Sequence, residues 1–434
     1  MTKVKIRKTS ELRGEVCAPP SKSYTQRMLI AASLSYGISK ISGPLVSDDT
    51  KATLRAVRMV GANVKMAKGC WTVTGGSSLK HAEAPIDCGE SGATLRFMIP
   101  VVALTDGPST LLFRQSLERR PVEPLLQSLK ALGVETSRGT VDCKSYVKVE
   151  GGGIKGGKTS IPGDVSSQFI SGLMFACPLA KTNTEITVTT SLESKGYAKM
   201  TKEVLAQHGI KILSNDDYKL IRIPAGQKYK PSDHSVPGDF SSAAFLMAAA
   251  AISHSHVEIV NLDYSLVQGD KAIIGVLKQM GVEGKVCSDK IQITGGGKPL
   301  KAFDIDAKDT PDLVPVYAAL ACYAEGTSRV HGAARLRLKE SDRLQSLYLE
   351  LRKMGAEIKV DPESLTVIGP CRLHSADIDS HDDHRIVMAC AVAALGAEGK
   401  TVIHNAECVQ KSYPSFFVDL ESLGVNLVGG KFNR

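Results

Sequence analysis

The chain has 434 residues, 43% hydrophobic and 23% charged, which indicates a folded protein of two or three domains rather than a disordered or fibrous one. Its 54 basic and 45 acidic residues give a formal net charge of +9, which favours anionic partners. Aromatic residues make up only 5% and are not interleaved with basic ones, so small anionic ligands are favoured over nucleic acid.

The cysteines and the N-terminus indicate the compartment. Ten cysteines are spread along the chain without a CxxC pair, which predicts neither a zinc site nor a redox motif and fits a reducing environment. The opening stretch MTKVKIRKTSELRGEV lacks the apolar core of a signal peptide, and no run reaches the ~18 apolar residues of a membrane span. The sequence therefore predicts a cytoplasmic protein with no membrane association.

One unit recurs six times along the chain. An amphipathic helical pattern, a glycine and a short strand appear successively in LRAVRMVGANVKM, LLQSLKALGVETS, TKEVLAQHGIKIL, IIGVLKQMGVEGKV, LYLELRKMGAEIKV and FVDLESLGVNLVG. Each glycine stands where a helix would end and a left-handed residue is favoured. The six are Gly61, Gly133, Gly209, Gly281, Gly355 and Gly424. We interpret them as helix caps and not as ligand contacts.

A second helix lies between these, in SKSYTQRMLIAASLS, ESGATLRFMIPVVAL, DVSSQFISGLMFACPLA, DFSSAAFLMAAAAIS, DTPDLVPVYAALACYA and DHRIVMACAVAALGA. Each segment opens with Ser, Thr, Asp or Glu, a residue type that caps helices, and is then too apolar to have a solvated face. Short branched runs such as TEITVTTS and HVEIVNL predict strands. Because PGDVSSQF and PGDFSSAAF match, we predict an α/β fold of two similar domains, each of three repeats.

The starts of the buried helices carry more polar residues than capping requires. Convergent helix N-termini would form a cleft that favours anions. The residues are Lys22, Ser23, Arg27, Gly92, Arg96, Arg119, Arg120, Ser166, Ser167, Gln168, Ser194, Tyr197, Asp312, Lys339, Glu340, Arg343, His384, Arg385 and Lys411. A single Ser is usually a cap, and a single Lys or Arg is usually a surface residue. Their recurrence at corresponding places in at least five repeats indicates a binding cleft.

These motifs resemble those of the 5-enolpyruvylshikimate-3-phosphate synthases, the enolpyruvyl transferases of the shikimate pathway. PSKSYTQR, CGESGATLR, RRPV, PGDVSSQF, ESKGY, PDLVPV, RLKESDR, DDHR and QKSYP occur in that family's order across nearly the whole chain. The resemblance implies two domains, each of three βαβαββ repeats, with the active site in the interdomain cleft. The implied domains are 21–237 and the combination of 1–20 with 238–434. We also expect a monomer.

The implied reaction transfers the enolpyruvyl group of phosphoenolpyruvate to the 5-hydroxyl of shikimate 3-phosphate and releases phosphate, as a 3-phosphoshikimate 1-carboxyvinyltransferase does. No cofactor and no metal are expected. Lys22 would reach both substrates, Asp312 would take the hydroxyl proton, Glu340 would serve the methylene carbon, and His384 would support it.

The resemblance also implies substrate contacts. The contacts to shikimate 3-phosphate would be Ser23, Arg27, Ser166, Ser167, Gln168, Ser194, Tyr197, Asp312 and Lys339. Phosphoenolpyruvate would be held by Gly92, Arg120, Gln168, Arg343, Arg385 and Lys411. At the start of the last buried helix, Asp382 or Asp383 would be the cap.

Several positions depart from the family's pattern. Glu90 stands where many relatives have Asn, and Ala93 where many have Thr, so the inhibitor sensitivity associated with this loop is not inferred for this chain. Arg335 occupies a place where some relatives use Asn, and no role is assigned to it. Tyr24 and Thr25 are also less usual after SKS.

Two other functions compete with this reading. The related UDP-N-acetylglucosamine enolpyruvyl transferases typically carry a reactive Cys in the loop before their Arg-Pro motif, and LLFRQSLERRPV has none. A nucleic-acid-binding or RNA-end-processing protein built on similar repeats would also use the positive charge. Such a protein would bind RNA with a steep salt dependence.

Overall fold

The computed structural model describes residues 2–76, 79–141 and 144–429. Contacts between residues divide the chain into two compact units. The central unit is Pro20–Val236. The terminal unit combines the described residues up to Pro19 with those from Pro237 onward. Each unit has its own hydrophobic core.

Helices alternate with short strands along the whole chain. The helices are α1 (Lys22–Ser33), α2 (Asp48–Met59), α3 (Gly92–Val102), α4 (Gln115–Glu118), α5 (Glu123–Ala131), α6 (Ser167–Ala176), α7 (Lys195–Gln207), α8 (Phe240–Ile252), α9 (Ile273–Gln279), α10 (Val314–Ala321), α11 (Arg343–Lys353), α12 (His384–Ala394) and α13 (Phe416–Ser422). Short 3-10 helices cover Cys177–Leu179, Gly269–Ala272, Pro311–Leu313, Ala334–Leu338 and Ala406–Lys411.

The strands are two to eight residues long. Those before residue 150 are β1 (Val4–Arg7), β2 (Glu11–Cys17), β3 (Gly37–Ser42), β4 (Asn63–Ala67), β5 (Cys70–Gly75), β6 (Ile86–Asp87), β7 (Ser109–Phe113), β8 (Thr136–Val141) and β9 (Lys144–Val149). Those that follow are β10 (Gly157–Ile161), β11 (Thr184–Val188), β12 (Leu213–Ser214), β13 (Leu220–Ile223), β14 (His234–Ser235), β15 (His254–Val260), β16 (Glu283–Val286), β17 (Lys290–Thr294), β18 (Leu300–Lys301), β19 (Asp304–Asp306), β20 (Ala324–His331), β21 (Glu357–Val360), β22 (Leu365–Gly369), β23 (Asp377–Ile378), β24 (Lys400–Ile403) and β25 (Leu427–Val428).

The strands of the central unit form three sheets with one common order, β14-β3-β5-β4, β6-β7-β9-β8 and β10-β11-β13-β12. In each sheet the first pair is parallel and the other two pairs are antiparallel. The repeated order confirms that the sequence repeat is a structural repeat. It also shows that β14, near the end of the unit, completes the first sheet, with His234 opposite Ile41.

The terminal unit repeats the same order three more times, as β2-β15-β17-β16, β18-β20-β22-β21 and β23-β24-β1-β25. An additional strand, β19, also pairs with β20. The first strands of the chain belong to these sheets, since Val4 lies opposite Ile403 and Leu12 lies opposite Ser255. The predicted fold class, α/β with repeated βαβαββ units, is confirmed.

Two kinds of helix follow from the two sequence patterns. The apolar helices α1, α3, α6, α8, α10 and α12 are buried over most of their length, and every residue of α12 is buried. The amphipathic helices α2, α5, α7, α9, α11 and α13 each end two residues before a glycine with positive φ, between 76° and 107°. The prediction that all six glycines follow helix ends is therefore confirmed.

The fifth buried helix begins differently from its prediction. The segment DTPDLVPV was expected to start with a capping Asp or Thr, but a 3-10 turn at Pro311–Leu313 precedes α10, and no side chain caps it. Pro311 and Pro315 cannot donate backbone hydrogen bonds, which favours this tighter start. Within the described residues, no helix is long and apolar enough to cross a membrane.

Candidate active site

The first predicted residue of the central unit begins α1. The Ser21 hydroxyl accepts a hydrogen bond from the Tyr24 backbone N–H and so caps the helix. Lys22 follows, and its ammonium group lies 2.9 Å from a carboxylate oxygen of Asp49. Both side chains are largely but not fully buried. The ion pair holds the Lys22 ammonium at the start of the helix, where an anionic ligand would also be favoured.

Arg27 contacts two other predicted residues of the central unit, Ser23 and Tyr197. Its guanidinium donates to the Ser23 carbonyl oxygen at 3.0 Å and to the Thr201 hydroxyl at 2.8 Å. It also lies 5.1 Å from the ring centroid of Phe97 and 5.6 Å from that of Tyr197. Burial lowers the pKa of Arg27 to about 10, so the residue still carries its charge near neutral pH.

Gly92 and Arg120 are in direct contact. Gly92 is the first residue of α3, and a Cβ atom built there would lie 3.0–3.2 Å from the Arg120 guanidinium. The absence of a side chain at Gly92 therefore lets the cation lie directly on the start of the helix. Arg120 itself is buried. The backbone N–H groups of a helix start and a buried guanidinium together form a site that favours an anion.

Arg96 links Gln168 to the Arg-Pro loop. Its guanidinium donates to the Gln168 side-chain oxygen at 2.8 Å, to the Ser166 hydroxyl at 3.5 Å and to the Pro121 carbonyl oxygen at 3.1 Å. The sequence placed Arg96 in the CGESGATLR motif, but no substrate contact was assigned to it. In the structure it positions Gln168. Ser166 caps α6, and Ser167 is its buried first residue.

Ser194 has an unusual backbone conformation. It precedes α7 with φ 56° and ψ 44°, in the left-handed region, and its side chain does not cap the helix. Its carbonyl oxygen instead accepts from the Tyr197 N–H at 3.1 Å. Non-glycine residues in this region are uncommon and occur often at functional sites. The buried Ser194 is thus a good candidate for a ligand contact.

In the terminal unit, one arginine joins three carboxylates. The Arg343 side chain is 1% exposed and donates to Asp312 at 2.8 Å, to Glu340 at 2.6 Å and to Asp383 at 2.8 Å. The Asp312 and Glu340 carboxylates, both predicted to be catalytic, are therefore held by the same guanidinium. This arrangement fixes both side chains by charge-assisted hydrogen bonds.

Asp312 is surrounded by cations. Besides Arg343, the Lys339 ammonium lies 3.5 Å and the Arg385 guanidinium 3.4 Å from its carboxylate. Burial would raise the pKa of Asp312, but the charges of Arg385, Lys339 and Arg343 outweigh it and hold that pKa well below its usual range. Burial also lowers the pKa of Lys339 to about 8, although Asp312 opposes this shift.

The start of α12 carries Asp383, His384 and Arg385, all of them buried. Asp383 is the cap, since its carboxylate accepts from the Arg385 backbone N–H at 2.9 Å. The His384 ring nitrogen Nδ1 lies 3.6 Å from the same carboxylate. Lys411 donates to the Asp382 carbonyl oxygen at 2.9 Å. Of the two predicted caps, Asp383 is therefore the one that acts.

Asp270 is a buried carboxyl that sequence reasoning missed. The Ser241 hydroxyl donates to one of its oxygens. Burial and then the charge of Asp312 raise the pKa of Asp270 to about 7. Two acidic side chains that affect each other therefore have opposite pKa shifts, a pattern often found where proton transfer takes place. The short motif QGD around Asp270 gave no sign of this because Asp312 is remote in sequence.

Each unit thus brings together part of the predicted set. In the central unit, Ser23, Arg27 and Tyr197 form one group, Gly92 and Arg120 a second, and Ser166 and Gln168 a third. In the terminal unit, Asp312, Lys339, Glu340, Arg343 and Arg385 form a single ion network. Asp49 and Asp270 complete these groups and were not among the predicted residues, and Arg96 was predicted to lie at the cleft without an assigned substrate contact. Arg335 donates to the Lys308 carbonyl oxygen at 2.8 Å.

A family model described as EPSP synthase (3-phosphoshikimate 1-carboxyvinyltransferase) matches residues 6–420. Relatives named 3-phosphoshikimate 1-carboxyvinyltransferase are similar over nearly their whole length. The relative from Methanocaldococcus jannaschii is 43% identical, with 97% of this chain and 98% of the relative aligned. The relative from Methanosarcina mazei is 45% identical, with 96% and 97% aligned.

Solved structures agree with these relatives. The structure of EPSP synthase from Acinetobacter baumannii has a TM-score of 0.83 and 26% identity, with 99% of this chain and 100% of that chain covered. The enolpyruvyl transferase NikO from Streptomyces tendae is 20% identical with a TM-score of 0.79, a likeness of fold. The resemblance predicted from the motifs is confirmed, and this chain belongs to the EPSP synthase (3-phosphoshikimate 1-carboxyvinyltransferase) family.

Proposed function

We propose that this protein transfers the enolpyruvyl group of phosphoenolpyruvate to the 5-hydroxyl of shikimate 3-phosphate. The hydroxyl oxygen forms a bond to C2 of the enol while C3 gains a proton, which gives a tetrahedral intermediate. This intermediate then loses a proton from C3 and breaks its C2–phosphate bond, releasing inorganic phosphate. Both substrates are anionic, which agrees with the many buried cations and with the formal charge of +9.

The observation that carries the proposal is the network around Arg343. An addition followed by an elimination requires one group for the hydroxyl proton and one for the C3 proton. Asp312 and Glu340 are held 2.8 Å and 2.6 Å from the same guanidinium, so their relative positions are fixed before substrate binds. We assign the hydroxyl proton to Asp312 and the C3 proton to Glu340. His384, 3.6 Å from Asp383, supports the Glu340 step.

The charge on Asp312 has a consequence for the first step. The neighbouring cations keep Asp312 ionised, but they also make it a weak base. A phosphorylated substrate that pairs with Lys339 and Arg385 would neutralise part of the positive charge around Asp312. The basicity of Asp312 would then rise when substrate is present, which is when the hydroxyl must lose its proton.

The central unit supplies residues that suit anionic and hydroxylated groups. Ser166, Ser167 and Ser194 offer buried hydroxyls, and Gln168 is held in place by Arg96. We assign these residues, with Ser23, Arg27 and Tyr197, to shikimate 3-phosphate. Lys22 contacts both substrates in this proposal. Phosphoenolpyruvate is assigned to Gly92, Arg120, Gln168, Arg343, Arg385 and Lys411.

The proposal also includes a cytoplasmic, monomeric enzyme. The nine cysteines within the described residues are free thiols, which supports a reducing compartment. The tenth, Cys143, lies outside the described residues.

Phosphate release from phosphoenolpyruvate tests the reaction and the acceptor together. The purified protein is assayed alone, with shikimate 3-phosphate, and with UDP-N-acetylglucosamine. We expect release only with shikimate 3-phosphate. Release with the sugar nucleotide alone would overturn the acceptor, and no release with either acceptor would overturn the reaction.

A further inference from the structure

Two cysteines that are distant in sequence meet at the C-terminal end of α10. The backbone N–H of Cys371 donates to the carbonyl oxygen of Cys322 at 2.7 Å. Gly369 is packed tightly beside them, since a Cβ atom there would lie 2.7 Å from the Ala321 carbonyl oxygen. A disulfide needs Cα atoms about 4.4–6.8 Å apart, and a direct backbone hydrogen bond is compatible with that range. The backbones of the two cysteines are therefore close enough to be compatible with a disulfide.

The two thiols are neighbours that differ in exposure, and each donates to a carbonyl oxygen near it, Cys322 to that of Ala318 and Cys371 to that of Ile368. Cys322 is fully buried, whereas Cys371 is only partly buried, so Cys371 is the thiol that solvent reaches. The neighbouring Cys322 side chain lowers the pKa of Cys371 to about 7. The Cys371 side chain and burial raise the pKa of Cys322 well above its usual value. Cys371 is consequently the thiol that ionises first.

Four other cysteines within the described residues lack this combination. Burial raises the pKa of each of them, Cys88, Cys177, Cys390 and Cys408. Such thiols remain protonated near neutral pH and react slowly, because the thiolate is the nucleophile. A low-pKa, partly exposed thiol beside a second thiol is the usual arrangement of an oxidisable pair. A search for CxxC motifs misses this pair because its members come from different elements.

We propose that Cys371 and Cys322 form a site of reversible oxidation by hydroperoxides. The Cys371 thiolate attacks one oxygen of hydrogen peroxide, the O–O bond breaks, and a sulfenic acid and hydroxide form. Cys322 then gives its proton to hydroxide, and its sulfur attacks the sulfenic sulfur and expels hydroxide, which becomes water. Two thiols and one peroxide give one disulfide and two waters, and a thiol reductant restores the pair.

The site is independent of the proposed carboxyvinyl transfer. Cys322 directly follows α10, whereas Asp312 lies in the 3-10 turn that directly precedes the same helix. Neither cysteine contributes to the ion network around Arg343. The outcome of the oxidation experiment therefore does not depend on which substrate the enzyme uses.

The first test is oxidation of the reduced, full-length protein with hydrogen peroxide, followed by thiol counting and peptide mass mapping without reduction. We expect the loss of two thiols and a peptide that joins Cys322 to Cys371. Cys287→Ser, which removes another partly buried thiol of the terminal unit, is the matched control and is expected to form the same disulfide. In Cys371→Ser the disulfide should not form. A wild-type protein that keeps both thiols while other cysteines oxidise would overturn the proposal.

A second test measures the effect of Cys322 on the Cys371 thiol in the absence of oxidant. The alkylation rate of Cys371 is followed against pH in the wild type and in Cys322→Ser or Cys322→Ala, whichever folds better. We expect a midpoint near 7 in the wild type that moves toward the ~8.5 of an ordinary thiol in the variant. The variant should also accumulate a Cys371 sulfenic acid that a dimedone probe traps. An unchanged midpoint would contradict the pairing.

Discussion

At the scale of single residues, the ion network depends on shared partners rather than on isolated pairs. Arg343 has its charge balanced by Asp312, Glu340 and Asp383, of which Asp383 is fully buried and the other two are largely buried. A buried cation with satisfied hydrogen bonds is stable, but removal of one partner leaves an uncompensated charge. The assigned roles can therefore be tested best by substitutions that keep the shape of a side chain and change its chemistry.

Glu340→Gln keeps the side-chain shape but removes the group that we assign to the C3 proton. We expect substrate binding to change little and turnover to fall by roughly 10²–10⁴, the usual range for loss of a general acid–base group. Steady-state phosphate release with both substrates measures this effect. Glu421→Gln, on the exposed side of α13, is the control. Unchanged turnover in Glu340→Gln would remove this residue from the mechanism.

Gly92→Ala adds a methyl group at 3.0–3.2 Å from the Arg120 guanidinium, which must then move by a few tenths of an ångström. If Arg120 binds phosphoenolpyruvate, the KM for phosphoenolpyruvate should rise roughly five- to thirtyfold, which corresponds to ~1–2 kcal/mol of binding free energy. The KM for shikimate 3-phosphate should change less. Gly275→Ala in α9, where the added Cβ meets nothing within 4 Å, is the control. Equal weakening of both substrates would contradict the assignment.

Asp270→Asn tests the carboxyl whose pKa is raised by burial and by the charge of Asp312. The folded pKa of Asp270, about 7, lies above its ordinary value of 3.8, so its stabilising contribution is present at low pH and is lost as pH rises toward 7. The introduced amide would not ionise, so the variant should not lose this stability as pH rises. We expect the free energy of unfolding of the variant to exceed that of the wild type by about 1–3 kcal/mol at pH 8 and by little at pH 4.

Urea unfolding at both pH values measures this gain. The exposed Asp289→Asn is the control. A stability difference between Asp270→Asn and the wild type that does not depend on pH would contradict a protonated Asp270.

At the scale of elements, helix ends do most of the positioning. The outer helices end at glycines with positive φ, which reverses the chain into the next strand. The buried helices begin at caps that lie next to site residues, such as Ser21 beside Lys22 and Asp383 beside His384. The same local rule that starts a helix thus also places the residue that follows the cap.

Asp383 combines a cap with an ion pair, so its loss should be more costly than loss of an ordinary cap. Asp383→Ala would leave the buried Arg343 guanidinium without one carboxylate, and we expect about 3–5 kcal/mol of stability to be lost. Asp383→Asn keeps a capping oxygen and should lose less. Asp382→Ala, at the exposed neighbouring position, is the control. Chemical denaturation measures each value, and equal losses for Asp383→Ala and Asp382→Ala would argue against the shared role.

At the scale of the whole molecule, three of the six equivalent sheets include a strand that is far from the others in the chain. The N-terminal strands β1 and β2 complete sheets of the terminal unit, and β14 completes the first sheet of the central unit. Both units therefore depend on strands supplied from outside their contiguous repeats. In the central unit, that closing strand carries His234, which meets His208 at the end of α7.

The His208–His234 pair should make the central unit sensitive to acid. Their Nε2 atoms lie 2.8 Å apart, and His208 Nδ1 lies 2.8 Å from both the Lys230 carbonyl oxygen and the Ser35 hydroxyl. Burial lowers the pKa of His208, and burial and then the charge of His208 lower the pKa of His234 to about 4, although Asp233 opposes the latter shift. Both rings are therefore neutral in the folded protein near pH 7.

Because the folded pKa values lie below the ordinary 6.5, stability is complete above pH 6.5 and falls as the unfolded state takes up protons. We expect His234 alone to lower the free energy of unfolding by about 2–3 kcal/mol as the pH falls from 6.5 to 4. Urea midpoints across this range should fall less steeply in His234→Asn than in the wild type or in the exposed His256→Asn. Identical slopes in all three proteins would contradict a neutral buried pair.

The amino-acid sequence determined the repeat, the fold class, the family and the residues at most helix starts, because these depend on local periodicity, capping and contiguous motifs. Only the tertiary structure decided the partners of those residues. In each of four pairs, the two partners come from different elements. The pairs are Arg343 with Asp383, Gln168 with Arg96, Asp270 with Asp312, and Cys371 with Cys322. Hydrogen bonds, ion pairs and pKa shifts depend on distance in space and on burial, and neither can be read from spacing along the chain.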